Sequence, residues 1–166
     1  MTQELTKDEF VSQWAQNTEA LAKAVQSGQT LGQMMNMPKE NLSIIYRKAF
    51  DAFQVEDYSQ AEDLFLSLML WDFKEYAYQV GLAAALEAQD KFQNALGMYT
   101  LAMLVNGQNP EILYRSGKCL LAMEQRQEAK IMFELAVDFE TQRPELTLAT
   151  LAAIEKSKNM LSLING

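Results

Sequence analysis

Three stretches of the chain align with one another at a spacing of 34 residues without a gap. Ala61, Ala95 and Ala129 form one column; four residues later stand Phe65, Tyr99 and Phe133, and three further on Leu68, Ala102 and Ala136. Twelve residues before each of the first alanines stand Ala49, Ala83 and Gly117, all small. A repeat of this length is one supersecondary unit, too small to bury its own apolar face. Neighbouring units must therefore stack, and the ends of the stack need caps.

Small residues where two helices approach, with an aromatic one turn after the alanine, form the tetratricopeptide pattern. It predicts an all-α solenoid of three helical hairpins, A helix then B helix, over residues of about 42–75, 76–109 and 110–143. The A helices are expected at about 42–54, 75–89 and 110–122, and the B helices at about 58–71, 92–105 and 126–139. Asp57 and Asp90 fall at the A-to-B turns as N-cap acceptors, and Asn109-Pro110-Glu111 supplies a cap, a first-position proline and a first-turn acid. Arg143-Pro144-Glu145 opens a capping helix over about 144–163, whose apolar residues are Leu148, Leu151, Ile154 and Leu161.

Residues 1–40 differ from the repeats and make up an N-terminal helix and linker, ahead of the repeat domain at 41–166. Thr6 and Glu9 make a capping box, and Val11, Trp14, Thr18, Leu21 and Val25 recur at three- and four-residue steps before Gly28 stops the helix. A stripe this short is no stable coiled coil by itself, so it docks on the repeats or on a second copy of the chain. Met34, Met35 and Met37 in the linker either fill gaps in the core or form an adaptable sticky surface.

Composition narrows the chemistry. Fourteen basic against twenty-two acidic residues give a charge of −8, which repels nucleic acid and anionic membranes. There is no histidine, hence no common general base or metal ligand, and Glu62/Asp63 and Glu56/Asp57 are sequence neighbours that do not converge on a helix. Cys119 lies in an apolar run as an inert thiol. No metal, cofactor or enzymatic activity is expected. The polar start of the chain is unlike a signal peptide, and no apolar run is long enough to span a bilayer, so a soluble cytoplasmic protein is expected.

Binding is expected on the concave wall built from the A helices. Tyr46, Phe50 and Phe53 form a stripe on the first of them, facing away from Ala49. The equivalent residues are Val80, Ala84 and Glu87 in the second repeat, and Tyr114, Lys118 and Leu121 in the third. With Ile45, Ala49 and Ala52 assigned to the B helix, the aromatic stripe is left for the N-terminal helix or for an extended apolar peptide.

Tyr46-Arg47-Lys48-Ala49-Phe50-Asp51-Ala52-Phe53, Trp71-Asp72-Phe73, Gly81-Leu82-Ala83-Ala84 and Ser116-Gly117-Lys118-Cys119-Leu120-Leu121 resemble the class II translocator chaperones of type III secretion systems. Gly28-Gln29-Thr30-Leu31 resembles the short motif ahead of that family's first repeat. The resemblance covers about residues 28–163 and implies a non-enzymatic bacterial cytoplasmic chaperone without a cofactor. Such proteins hold an extended segment of a hydrophobic pore-forming translocator in the groove, several dimerise through the N-terminal helix, here Val11, Trp14, Leu21 and Val25, and some assist a transcriptional regulator. Lys48, Ala52 and Glu87 depart from the family's usual groove residues. The alternative is a tetratricopeptide scaffold of another bacterial system, for instance one reading a C-terminal carboxylate, which calls for basic and amide groups on the A helices.

Overall fold

The computed structural model describes residues 28–106, 109–142 and 146–165. Within these the chain is a run of eight helices: α1 (Leu31–Met34), α2 (Lys39–Gln54), α3 (Tyr58–Trp71), α4 (Tyr76–Ala88), α5 (Phe92–Asn106), α6 (Pro110–Ala122), α7 (Arg126–Gln142) and α8 (Leu148–Asn165). The A helices α2, α4 and α6 and the B helices α3, α5 and α7 fall where the 34-residue phase places them. Each packs on the next along the chain, and α8 packs on both α6 and α7. The predicted N-terminal helix, with Thr6, Glu9 and the stripe Val11, Trp14, Thr18, Leu21 and Val25, lies outside the described residues. Gly28, its predicted stop, has the left-handed φ of 71° that glycine adopts freely.

Local chemistry opens the helices. Thr30 Oγ1 accepts from the Gln33 amide at 3.3 Å while Gln33 Oε1 accepts from the Thr30 amide at 3.0 Å, a reciprocal box that starts α1. Asp57 accepts from the Gln60 amide at 3.1 Å to start α3, and Asn109 from the Glu111 amide at 2.9 Å to start α6. Thr147 Oγ1 accepts from the Thr150 amide at 3.2 Å, so α8 opens later than the proline at 144 suggests and extends to Asn165.

The A-to-B turns are one device used three times. The first residue past each cap, Glu56, Asp90 or Glu124, takes a left-handed φ of 63°, 59° and 63°. The following amides of Asp57, Lys91 and Gln125 reach back to the carbonyls of Ala52, Leu86 and Leu120 at 2.9, 3.0 and 2.9 Å. These are Schellman closures, in which glycine is the usual left-handed residue. Asp90 therefore does not cap α5. It stands in the column of Glu56, one place before that of Asp57, and the cap position itself is held by Lys91. Left-handed backbone costs a side-chain-bearing residue roughly 1–2 kcal/mol, offset here by the paired amides.

The columns read from the sequence are the core. Ala49, Ala61, Ala83, Ala95, Ala129, Tyr99 and Phe133 are fully buried and Phe65 nearly so. Phe65 lies over Gly81 of the next A helix, and Phe133 over Gly117 of its own, so closely that a Cβ at either glycine would come within 2.3 and 2.5 Å of a ring carbon. One apolar cluster runs from α2 to α6, and a second joins α6, α7 and α8 around Leu120, Ala129 and Phe133. Met37 packs on the first cluster, filling the core as one of the two readings expects, while Met35 is exposed. On α8 the buried face is Ala153, Ile154 and Ser157, continued by Met160, Leu161 and Ile164. Leu148 and Leu151, expected there, are exposed at 86% and 40%; at about 100° per residue the buried face centres between Ile154 and Ser157, which puts Leu148 on the opposite side of the helix and Leu151 at its flank.

Candidate functional site

The aromatic stripe on α2 divides. Tyr46 is half-buried, its ring 6.0 Å from Phe65 of its own repeat and 5.7 Å from Tyr78 of the next. Phe53 is half-buried too, 5.3 Å from Tyr58 in an edge-to-face pair. Tyr46 thus joins the first repeat to the second, while Phe53 packs within the first, partners the spacing along one helix does not reveal. Phe50, between them, is 48% exposed. An aromatic this open, one turn from Phe53, is where an apolar ligand gains most by covering it.

Beyond α2, the A helices of all three repeats contribute to one cleft of about 400 Å3. Phe53 stands at one end, Ala84 and Glu87 in the middle and Lys118 at the other, with Phe92, Arg115 and Cys119 completing the wall. Four of the nine residues expected from the sequence are brought together here. Val80 is half-buried on the first apolar cluster, and Tyr114 and Leu121 pack on the second. Tyr114 reaches a different cleft, of about 300 Å3, between α6 and α8, which Arg115 and Lys118 also border. Arg115 and Lys156 line these clefts without a signal in the sequence. Arg115 occupies the A-helix column of Gly81, where nothing marks a functional position, and Lys156 lies outside the repeats.

The polar centre of the cleft is Glu87, whose side chain is only 10% exposed. Tyr99 donates its hydroxyl proton to Oε2 at 2.6 Å, Arg115 Nη1 donates to the same oxygen at 3.2 Å, and Lys118 Nζ donates to Oε1 at 2.8 Å. Burial pushes the carboxyl pKa up, but the hydrogen bonds from Lys118 and Tyr99, with the charges of Lys118 and Arg115, outweigh burial and hold it below the usual range. Burial, helped by the Glu87 charge, pushes the Tyr99 phenol well above its ordinary value. Burial first, then Glu87, pushes the Cys119 thiol up to about 11, so it stays protonated and unreactive. Among the described residues no three His, Cys, Asp or Glu side chains converge as a metal site, and no helix is long and apolar enough to cross a membrane. The cleft has an aromatic end and a charged floor that is internally paired.

No protein-family model matches the chain. Chaperone protein SicA of Salmonella typhimurium is 28% identical to it over 140 residues, 84% of either chain. The structure of the Yersinia enterocolitica type III secretion translocator chaperone SycD superimposes with a TM-score of 0.71 at 22% identity, covering 81% of this chain and 97% of SycD. The fold is that of the translocator chaperones. PcrH of Pseudomonas aeruginosa, solved in complex with the chaperone binding region of PopD, has the same translocator chaperone fold, with a TM-score of 0.70 at 21% identity over 78% of this chain and 94% of PcrH.

Proposed function

We propose that the chain is a non-enzymatic chaperone of a type III secretion system. It holds an extended segment of a hydrophobic translocator in the groove along its A helices and keeps that protein soluble and fit for secretion in the bacterial cytoplasm. The observation that carries this reading is the cleft to which all three repeats contribute, with Phe53 at its aromatic end and the exposed Phe50 one turn away on the same helix. The complex of PcrH with its PopD region supports it. A translocator's membrane-seeking segments aggregate in water, and a groove that binds them competes with self-association by mass action, without nucleotide. The groove residues of this reading are Tyr46, Phe50, Phe53, Val80, Ala84, Glu87, Tyr114, Lys118 and Leu121.

The test is co-expression with the hydrophobic secretion substrates of the source bacterium, followed by pull-down. Phe50→Ala is expected to lower capture about tenfold while unfolding shifts by less than about 0.5 kcal/mol. Undiminished capture would sink the groove reading. Phe50 is the clean probe, because truncating Phe53 also removes its packing on Tyr58.

A second copy of the chain is the other proposed partner, through Val11, Trp14, Leu21 and Val25. Sedimentation of the full chain is then expected to give a dimer, and of the chain from Gly28 onward a monomer. The same number of chains per particle in both would remove that role from the stripe.

A further inference from the structure

The chain carries a charge of −8, yet the cleft between α6 and α8 runs against it. Arg115 and Lys118 of α6 and Lys156 of α8 line it, with Glu111 its one acid among the described residues. Arg115 is engaged twice, by Glu87 at 3.2 Å and by Glu111 at 3.4 Å, and Lys118 shares Glu87 at 2.8 Å. Among the described residues three cations thus meet two carboxylates, leaving one positive charge in excess. Lys156 carries that excess. Its ammonium lies 5.8 Å from the centre of the Tyr114 ring, and that of Lys118 lies 6.0 Å from the same ring. An aromatic face holds an ammonium in place without neutralising it. Across from them Ala149, Ala152 and Ala153 present only methyl groups, which leaves the volume of about 300 Å3 open.

We infer that Lys118 and Lys156, set around Tyr114, form a carboxylate subsite at the third-repeat end of the groove, which takes an acidic side chain of the bound apolar segment. This rests on the groove holding such a segment. Arg115 and Lys118 border both this cleft and the one beginning at Phe53, so a strand lying along the A helices passes the subsite. A side chain fits better than a chain end. The guanidinium fork that would clamp a terminal carboxylate is already occupied by Glu87 and Glu111, whereas the two ammonium groups are point charges that tolerate approach from a neighbouring backbone. A segment read in this way is apolar where it meets Phe50 and Phe53 and acidic several residues further along.

The experiment uses short fluorescein-labelled peptides of Val, Leu, Pro and Ser with a single guest residue, Glu, Gln or Lys, moved through every position, and reads binding to the full chain by anisotropy. At one register Glu is expected to bind about fivefold more tightly than Gln, and Lys less tightly than either. Added salt is expected to narrow the Glu preference. Lys156→Gln, a change on an exposed side chain, should bring the Glu and Gln peptides together while leaving the Gln peptide's affinity unchanged; Lys156→Arg should keep the preference. Equal binding of Glu and Gln peptides at every register, with Phe50→Ala still weakening both, would overturn the subsite and leave the groove standing. So would a Lys156→Gln chain that loses both peptides by the same factor. Failure of every guest peptide to bind the parent chain would overturn the subsite together with the groove.

Discussion

Phe133→Ala is expected to destabilise the chain by about 3–5 kcal/mol, which for a domain of this length lowers Tm by on the order of 10 °C. The ring is fully buried, lies 6.0 Å from the Tyr114 ring and fills the space left by the missing side chain of Gly117. Removing it opens a cavity where the second apolar cluster joins α6, α7 and α8. Filling from the other side is also unfavourable. Gly117→Ala would put a Cβ 2.5 Å from a ring carbon of Phe133, and Gly81→Ala a Cβ 2.3 Å from one of Phe65. Each should cost about 1–3 kcal/mol. Gly97 is the control, since a Cβ there meets nothing within 4 Å; alanine at that position should gain up to about 1 kcal/mol from helix propensity. Urea titration followed by circular dichroism separates the cases. If Gly117→Ala were as stable as Gly97→Ala, the contact between the ring and the glycine could not be what fixes the A–B crossing.

Glu87→Gln should be the most costly single change among the polar residues, about 2 kcal/mol at neutral pH, most of it from the buried Tyr99 hydroxyl losing a charged acceptor. The ion pairs add less, because Arg115 and Lys118 are 34% and 45% exposed and water screens them. The pH dependence has a definite sign. The carboxyl pKa is lowered on folding, so its stabilisation is complete above the unfolded value of about 4.3 and is lost as pH falls through the lower, folded value. The stability gap between parent and variant should therefore be constant from neutral pH down to about 5 and close below about 4. A gap that stayed open in acid would mean that shape, not charge, makes Glu87 costly to replace. The variant also frees Lys118 from its carboxylate and leaves Arg115 to Glu111 alone, so it should bind acidic guest peptides more tightly than the parent.

How much of this was legible in the sequence depends on how far apart the interacting residues lie. The small and aromatic columns could be read because each helical crossing repeats the same packing, and Ala61, Ala95 and Ala129 announce it three times. Asp90 reads as a cap because a carboxylate one column early looks the same in sequence, while its left-handed backbone tells the two apart. The pairing of Tyr46 with Tyr78 escaped a reading made one helix at a time. The meeting of Glu87 with Arg115 and Lys118 bridges 28 and 31 residues and has no local signature. The cleft with Lys156 depends on how α8 docks, and α8 belongs to no repeat, so the period carries no information about it.

The three A-to-B turns each use three residues, 55–57, 89–91 and 123–125, closed every time by the same back-reaching amides, whereas the first connection from B to the next A, 72–75, has four residues and a different geometry. A tight turn closed by two back-reaching amides has no slack: one added residue would rotate the B helix by about 100° and swing its alanine and aromatic out of the contact. Insertions in proteins built on this plan are therefore admissible between hairpins and not within them. The number of hairpins and the reach between them can drift over evolution, while the crossing inside each stays fixed.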